Sequence, residues 1–344
     1  MKISNITKNL MMKLAITLFF LVGFTSLQAK TFKIATDVPD GTFWMKKMRS
    51  AAKTIKNKTD GRVKFKFYPG GIMGSERVAM KKIRISQLQG AFVANGVLSS
   101  IYPDSQVYAL PKLFNNIEEV DYIRNKFDKK ITDGLKDKKM ISFGLIETGF
   151  AYILSTKKIN KEGNLSSYKV WSPTGNKQIE LTLNAIGVTP IPLNIGDVLT
   201  ALQTNLIDTV IVPPVVAITL QWHTQVKFFS NVPLMYIYGT FLLSKKDFDK
   251  ISKGDQEVVR HAMSTVLSSL DQKNRSDNIK ALKALKKQGI EDSSPSNGML
   301  KHWVKKGENA REIIKSKNIM SKNIIEDVIK QLEKYREQQE APGV

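Results

Sequence analysis

Apolar residues recur at every second position in some stretches of the chain and at every third or fourth position in others, and the two patterns alternate. "TFKIATD" reads as a strand that ends in a turn at Pro39, Asp40 and Gly41. From Thr42 the apolar positions Trp44, Met48, Ala51 or Ala52, and Ile55 fall at helical spacing. "GRVKFKFYPGG" then puts Val63, Phe65 and Phe67 on one face and Arg62, Lys64 and Lys66 on the other. Strand, helix and strand in this order predict a right-handed crossover unit of a parallel sheet. Ser75 is placed to cap a helix over "ERVAMKKIRIS", "GAFVAN" is a short buried strand, and "EEVDYIRNKFDKKITDGL" is amphipathic.

A second set of elements begins near Gly144, where "GLIETGFAYILSTKKI" reads as extended chain crossing to another lobe. "YKVWS" is a strand ending at a turn, and "NKQIELTLNAIG" is a helix stopped by Gly187 in the left-handed cap. "TPIPL" is a strand, and "IGDVLTALQTN" is a helix in which Asn205 takes the same cap conformation. "LIDTVIVPP" returns to the sheet until Pro213 and Pro214 end it. Over residues 255–287, Val259, Met263, Val266, Leu267 and Leu270 make one apolar stripe, and Ile279, Leu282 and Leu285 make another. The polar "DQKNRSDN" lies between them, which fits one helix spanning two lobes with its middle exposed at a waist, or two helices broken near Asn274. The pattern as a whole predicts an α/β fold of two lobes around a central cleft. Lobe I is expected over 30–150 with 240–275 returning to it, lobe II over 151–239 with 276–335 packed on it, and a flexible tail over 336–344.

A chain of 344 residues has room for two cores. Its first 29 residues differ from the rest, with Lys2, Lys8 and Lys13 preceding the apolar "LAITLFFLVGFTSL" and Ala29 offering a small residue for cleavage. This is the pattern of a secretory signal peptide, and the apolar run is shorter than the roughly 20 residues a membrane span needs. There is no cysteine, hence no lipid-acceptor thiol, and a soluble periplasmic location is expected. The net charge of +22 is scattered as lysine pairs such as Lys46–Lys47 and Lys286–Lys287. With no basic run interleaved with aromatics, nucleic acid is not an expected partner.

Several stretches occur together in a telling order: "FKFYPGGIMGS", "ALPKLF", "YKVWSP", "GVTPIPLNIGDVLTALQTNLIDT" and "FFSNVPLMYIYGTFLLSKKDF". In that order they resemble the periplasmic solute-binding proteins of tripartite ATP-independent periplasmic (TRAP) transporters, the DctP-type family. The resemblance implies a two-lobed receptor without cofactors, hinge closure around a small organic solute, and delivery to the small and large subunits of a membrane permease; a monomer is expected. It also implies that most relatives carry a ligand-pairing arginine where this chain has Trp171, and commonly an asparagine where it has Val212. A tryptophan-bearing subgroup is similar to this chain. A guanidinium–carboxylate pair contributes charge-assisted hydrogen bonds of about 1.5–3 kcal/mol each. Enclosing a bare carboxylate against an indole and a valine would instead cost several kcal/mol. The expected ligand is therefore apolar or amphipathic, with Arg124 and Lys169 as alternative cations for an anionic one.

The candidate ligand-binding residues are Trp171, Val212, Ser172, Asn194 and Pro214 from lobe II and Phe43, Trp44, Gly71 and Asn95 from lobe I, with Tyr152, Trp222 and Tyr236 as further walls. For Trp44, core packing and ligand contact are equally open. Asp208 is expected to hydrogen-bond a turn. His261 and His302 sit on predicted helix surfaces, His223 has no carboxylate at metal-ligand spacing, and no nucleophile elbow, zinc-protease or phosphate-loop pattern is present, so no catalytic or metal site is expected. An exported hydrolase on a similar fold and a periplasmic lipid carrier stand as alternatives.

Overall fold

The computed structural model describes residues 29–158 and 165–340. All but the last residue of the expected signal peptide, and the last four residues of the expected tail, lie outside this range.

The amino-terminal lobe is built on the crossover unit that the alternation predicts. Strand β1 (Lys30–Ala35) pairs in parallel with β2 (Val63–Tyr68), Phe32 opposite Phe65, and helix α1 (Phe43–Lys58) joins them. Thr42 caps α1 by accepting the Met45 amide, and Met45, Met48, Ala51 and Ile55 are buried beneath it. Helix α2 (Glu76–Arg84) leads to β3 (Gly90–Ala94), which lies parallel on the other side of β1. Ser75 stands at the N-cap position of α2 without the side-chain bond expected of it. Gly90 is required for close packing: a Cβ there would lie 2.3 Å from the Leu242 carbonyl oxygen.

Two long strands carry the chain between lobes. Strand β4 (Met140–Ser155) runs antiparallel to β9 (Met235–Ser244), with register shifts between Ser142 and Leu145 and between Glu147 and Gly149. Bulges of this kind bend a strand and raise its twist, which lets one pair of strands serve two differently oriented lobes. In lobe I, β9 pairs with β3; beyond the waist, β4 pairs with β7 (Thr209–Val212) and β8 (Phe228–Phe229). A short parallel pair, β5 (Trp171–Pro173) and β6 (Ile191–Leu193), flanks this second lobe beside helix α4 (Lys177–Ala185). Trp171 thus opens its strand rather than ending it. Gly187 and Asn205 both have positive φ, as their cap positions require.

The polar-centred helix is continuous: α5 (Lys253–Lys287) runs for 35 residues, resolving the alternative of a break near Asn274. Its middle is exposed only in part, as at Gln272 and Ser276. Asn274 is buried and donates to the Glu147 carbonyl at 2.6 Å, and Asn278 donates to the Thr148 carbonyl at 2.7 Å, so the polar stretch grips the backbone of β4 at its irregular point.

The carboxyl-terminal helices also depart from the expected division. Helix α6 (Asn297–Ser316) starts against α4, but α7 (Lys322–Glu340) packs on α3 (Ile117–Asp137) in lobe I, where Ile324, Ile325 and Val328 share a core with Val120 and Ile123. The expected tail is ordered up to Glu340, with Arg336 bonded to Glu119 at 2.8 Å and to the Leu113 carbonyl at 2.9 Å. Amphipathicity fixed that these helices pack, but not on which lobe. Among the described residues no helix is long and apolar enough to cross a membrane.

Candidate functional site

The lobes enclose a cavity of about 410 Å3, within the size range of small-molecule sites. Its lobe II wall begins at the head of β5. Trp171 is 7% exposed, its ring meets Trp222 edge-on at 5.3 Å, and its Nε1 donates to the Leu193 carbonyl at 3.0 Å. An indole has only this one donor, so what Trp171 presents to the cavity is apolar surface. Val212, at the end of β7, is buried beside it, and Leu193, Ile195 and Val216 extend the same wall.

Lobe I contributes a matching surface. Trp44 packs edge-on against Phe92 at 4.7 Å, and its Nε1 donates to Asn274 Oδ1 at 2.8 Å. Trp44 thus packs against the core and also lines the cavity, while its donor ties α1 to the waist helix. Phe43 lies at the rim, 41% exposed, with the ammonium groups of Lys47 and Lys273 each 5.3 Å from its ring centroid. Asn95 also lines the cavity but is held by Gln106, which donates to its carbonyl at 2.7 Å. Asn194 lines it from lobe II.

The charged residues of the lining are Asp37, Glu76, Arg77 and Asp277. Glu76 accepts the Ala94 amide at 3.0 Å, and burial together with the charge of Asp37 pushes its pKa up to about 8. Burial alone raises Asp37 to about 6, and its carboxylate has no protein hydrogen-bond partner among the described residues. Asp277 is paired with Lys273. Arg77 reaches across the mouth, where Nε donates to the Thr174 carbonyl at 2.8 Å and Nη2 donates to the Gly175 carbonyl. Gln178 reaches back to the Gln106 carbonyl at 3.4 Å, so the lobes touch along this edge. The alternative cations lie elsewhere: Arg124 is engaged at the waist by Asp128 and Asp271, and Lys169 donates to the Asn205 carbonyl on the surface.

Six residues from the sequence reading lie outside the lining. Gly71 serves a turn at φ +73°, where an added Cβ would meet Asp37 Oδ1 at 3.4 Å. Tyr152 packs its ring on Phe229, and Trp222 is fully buried behind Trp171. Ser172 points the other way from its strand neighbour and is completely buried, as strand alternation requires. Pro213 lines the cavity where Pro214, the first residue of a short helix, does not. Tyr236 is locked at the waist by Arg124 at 3.2 Å and Glu147 at 3.3 Å. Asp208 ties separate segments together rather than a turn, accepting the amide of Lys169, distant in sequence, at 2.8 Å and pairing with Lys157 at 2.8 Å.

Sequence reasoning missed Asp37, Glu76 and Arg77. The available signal was their position, an acid closing the first strand in "TFKIATD" and a charged pair opening the next helix. Strand carboxyl ends and helix amino ends meet at the ligand crevice of open α/β sheets.

The model of the bacterial extracellular solute-binding protein family 7 matches residues 34–317. The sialic acid-binding periplasmic protein of Vibrio cholerae is 20% identical over 82% of this chain and 89% of its own length. The C4-dicarboxylate-binding periplasmic protein of Rhodobacter capsulatus is 20% identical over 74% and 76%. The crystal structure of the sugar-acid-binding protein of Advenella mimigardefordensis with galactonate superposes with a TM-score of 0.81 at 23% identity, covering 89% of this chain and 99% of that one. The two-lobed fold with its long helix is thus shared with TRAP solute-binding proteins, and the chain belongs to the bacterial extracellular solute-binding protein family 7, the DctP family of periplasmic receptors.

Proposed function

We propose that this receptor captures a small amphipathic or apolar organic molecule between its lobes and hands it to the small and large membrane subunits of a TRAP permease. The observation that carries this reading is the state of the cavity's polar groups. Both indole donors are bonded within the protein, Val212 offers none, and the basic side chain in the lining is already bonded to two carbonyls. A carboxylate placed beside Trp171 and Val212 would lose its hydration without a charged partner, at a cost of several kcal/mol. The Asp37 carboxylate faces the same space and, ionised at neutral pH, would repel it. Apolar surface buried by both walls at once supplies the differential affinity that favours lobe closure.

A second reading comes from the relatives, whose names specify sialic acid, C4-dicarboxylates and galactonate. An organic acid would be held here by Arg77, released from the Thr174 and Gly175 carbonyls. Purification without denaturation, organic extraction and mass spectrometry separate the two. The first reading expects an amphipathic or apolar molecule whose binding changes the tryptophan fluorescence of the native chain but not in the same way in Trp171→Phe. Recovery of a sugar acid or dicarboxylate whose affinity collapses in Arg77→Gln would establish the second reading and overturn the first.

A further inference from the structure

Behind the cleft lies a second chamber of about 260 Å3, between α4, α6 and the Pro111–Lys112 turn. Leu183, Ile211 and Met235 line both spaces, so these three side chains form the partition between them. Met235 is the adaptable member: an unbranched thioether side chain changes rotamer readily and tolerates irregular neighbours. The interior of the rear chamber is apolar, with Leu165, Ile186, Leu234 and Trp303 in its walls. Among the described residues its charged or titratable groups are Lys112, His302 and Lys306, none of them a carboxylate.

The two chambers therefore oppose one another electrostatically. The front one carries Asp37 and Glu76, and its arginine is committed to carbonyls of the other lobe. At the rear, Lys306 donates to the Ile186 carbonyl at 3.3 Å and Lys112 to the Pro233 carbonyl at 3.1 Å. Each ammonium has three donors, so one weak bond to a carbonyl leaves two available. Gly307 lets α6 approach this turn, since a Cβ there would lie 2.9 Å from the Lys112 Cβ. Lys112 and Lys306 both belong to the lining of this chamber.

Building on the amphipathic-cargo reading above, we infer that the rear chamber is a binding site for the anionic head of a chain-like amphiphile, a carboxylate or similar singly charged group, whose apolar body passes the Leu183–Ile211–Met235 partition and lies in the cleft. An anion at the Trp171 position has no uncommitted cation beside it and shares its space with the Asp37 carboxylate, whereas the lining of the rear chamber offers the ammonium groups of Lys112 and Lys306. Reversing the molecule loses both advantages.

The test uses the full mature chain, stripped of bound lipid, with decanoate and decan-1-ol as probes of equal chain length, and titration calorimetry with tryptophan fluorescence as readouts. The expected result is that decanoate binds at least tenfold more tightly than decan-1-ol. Lys306→Glu should lower decanoate affinity at least tenfold and leave decan-1-ol within twofold, and Lys306→Arg should restore decanoate binding. Lys64→Glu, on the exposed face of β2, controls for general attraction to a basic surface. Equal affinity for the two probes, or equal losses from Lys306→Glu and Lys64→Glu, overturns the rear site while leaving the apolar cleft standing. If neither probe binds or alters the fluorescence, the amphipathic-cargo reading fails and this site fails with it.

Discussion

The waist and the cleft are formed by the same strands and the same long helix, yet they treat charge in opposite ways. At the waist, Arg124 bonds Asp271 and Asp128 at 3.1 Å each and the Leu145 carbonyl at 3.0 Å, while Arg275 bonds Glu147 at 2.7 Å and Asp121 at 2.8 Å. Arg275 meets Asp121 through a two-pronged fork, the geometry by which arginine grips an acid. Among the described residues lining the cleft no arginine grips a carboxylate, and apolar walls meet two partly neutralised carboxyls. The arginines that hold acids in this protein hold its own. They fix helix α5 to the irregular strands at the waist, away from the cavity walls.

The strongest way to break that comparison is to remove a waist cation. Glu147 is 2% exposed, and Arg275 is its charged partner. Taking away one member of a buried pair typically costs about 3–5 kcal/mol, because the other is left uncompensated. Arg275→Met should lower unfolding stability by about that amount in a urea titration, with decan-1-ol affinity of the folded fraction kept within about threefold. A loss below about 1 kcal/mol would mean that the network is incidental to the frame.

A change in the opposite sense puts polarity into the cleft. Val212→Asn creates a buried amide whose partners the apolar wall does not supply, which costs about 1–3 kcal/mol. The expected outcome is a fall of about tenfold or more in decan-1-ol affinity, with a smaller change in melting temperature. Unchanged affinity would show that cargo never reaches β7.

The third prediction sharpens the contrast by pH. Glu76 and Asp37 have folded pKa values of about 8 and about 6, above their ordinary range near 4. The folded state therefore binds more protons than the unfolded chain between those limits, and stability falls as pH rises through that window. The slope approaches about 1.4 kcal/mol per pH unit for each proton of difference. Glu76→Gln should flatten the decline in melting temperature between pH 6 and pH 8. An unaltered pH profile would remove Glu76 from the account.

How far the sequence foretold these two regions follows from the range of the forces involved. The crossover of β1, α1 and β2 was legible because period-two and helical patterns are local and each buries its own face. Trp171 and Val212 were legible as cavity-lining positions because the family resemblance marked both places. The waist was not. "DQKNRSDN" read as solvated because nothing within it reveals that Glu147 and Thr148, more than a hundred residues away, present carbonyls for Asn274 and Asn278. Tyr236 was misplaced for the same reason, since its hydroxyl is fixed by Arg124 and Glu147 from two other elements. The lobe assignment of α7 failed because an amphipathic stripe specifies burial but not the partner.

The smallest expected effect concerns Arg77, the cation that belongs to the cleft and yet touches backbone rather than an acid. Its two bonds close the lobes at an exposed edge, and net hydrogen-bond contributions there are about 0.5–1.5 kcal/mol. Gly175, at φ +71°, is part of the arrangement, because a Cβ would lie 2.8 Å from the guanidinium carbon. Arg77→Gln should leave the melting temperature nearly unchanged, since neither lobe's core involves it, while increasing the open population severalfold. Apparent affinity scales with the fraction of competent closed protein, so the same variant should bind decan-1-ol about three- to tenfold more weakly. Distances between spin labels on α1 and α4 would report the opening directly. A shift of that size for every probe, neutral or anionic, identifies Arg77 as a latch. A loss beyond a hundredfold confined to sugar acids would instead make it a ligand-binding cation, and the contrast between waist and cleft would no longer hold.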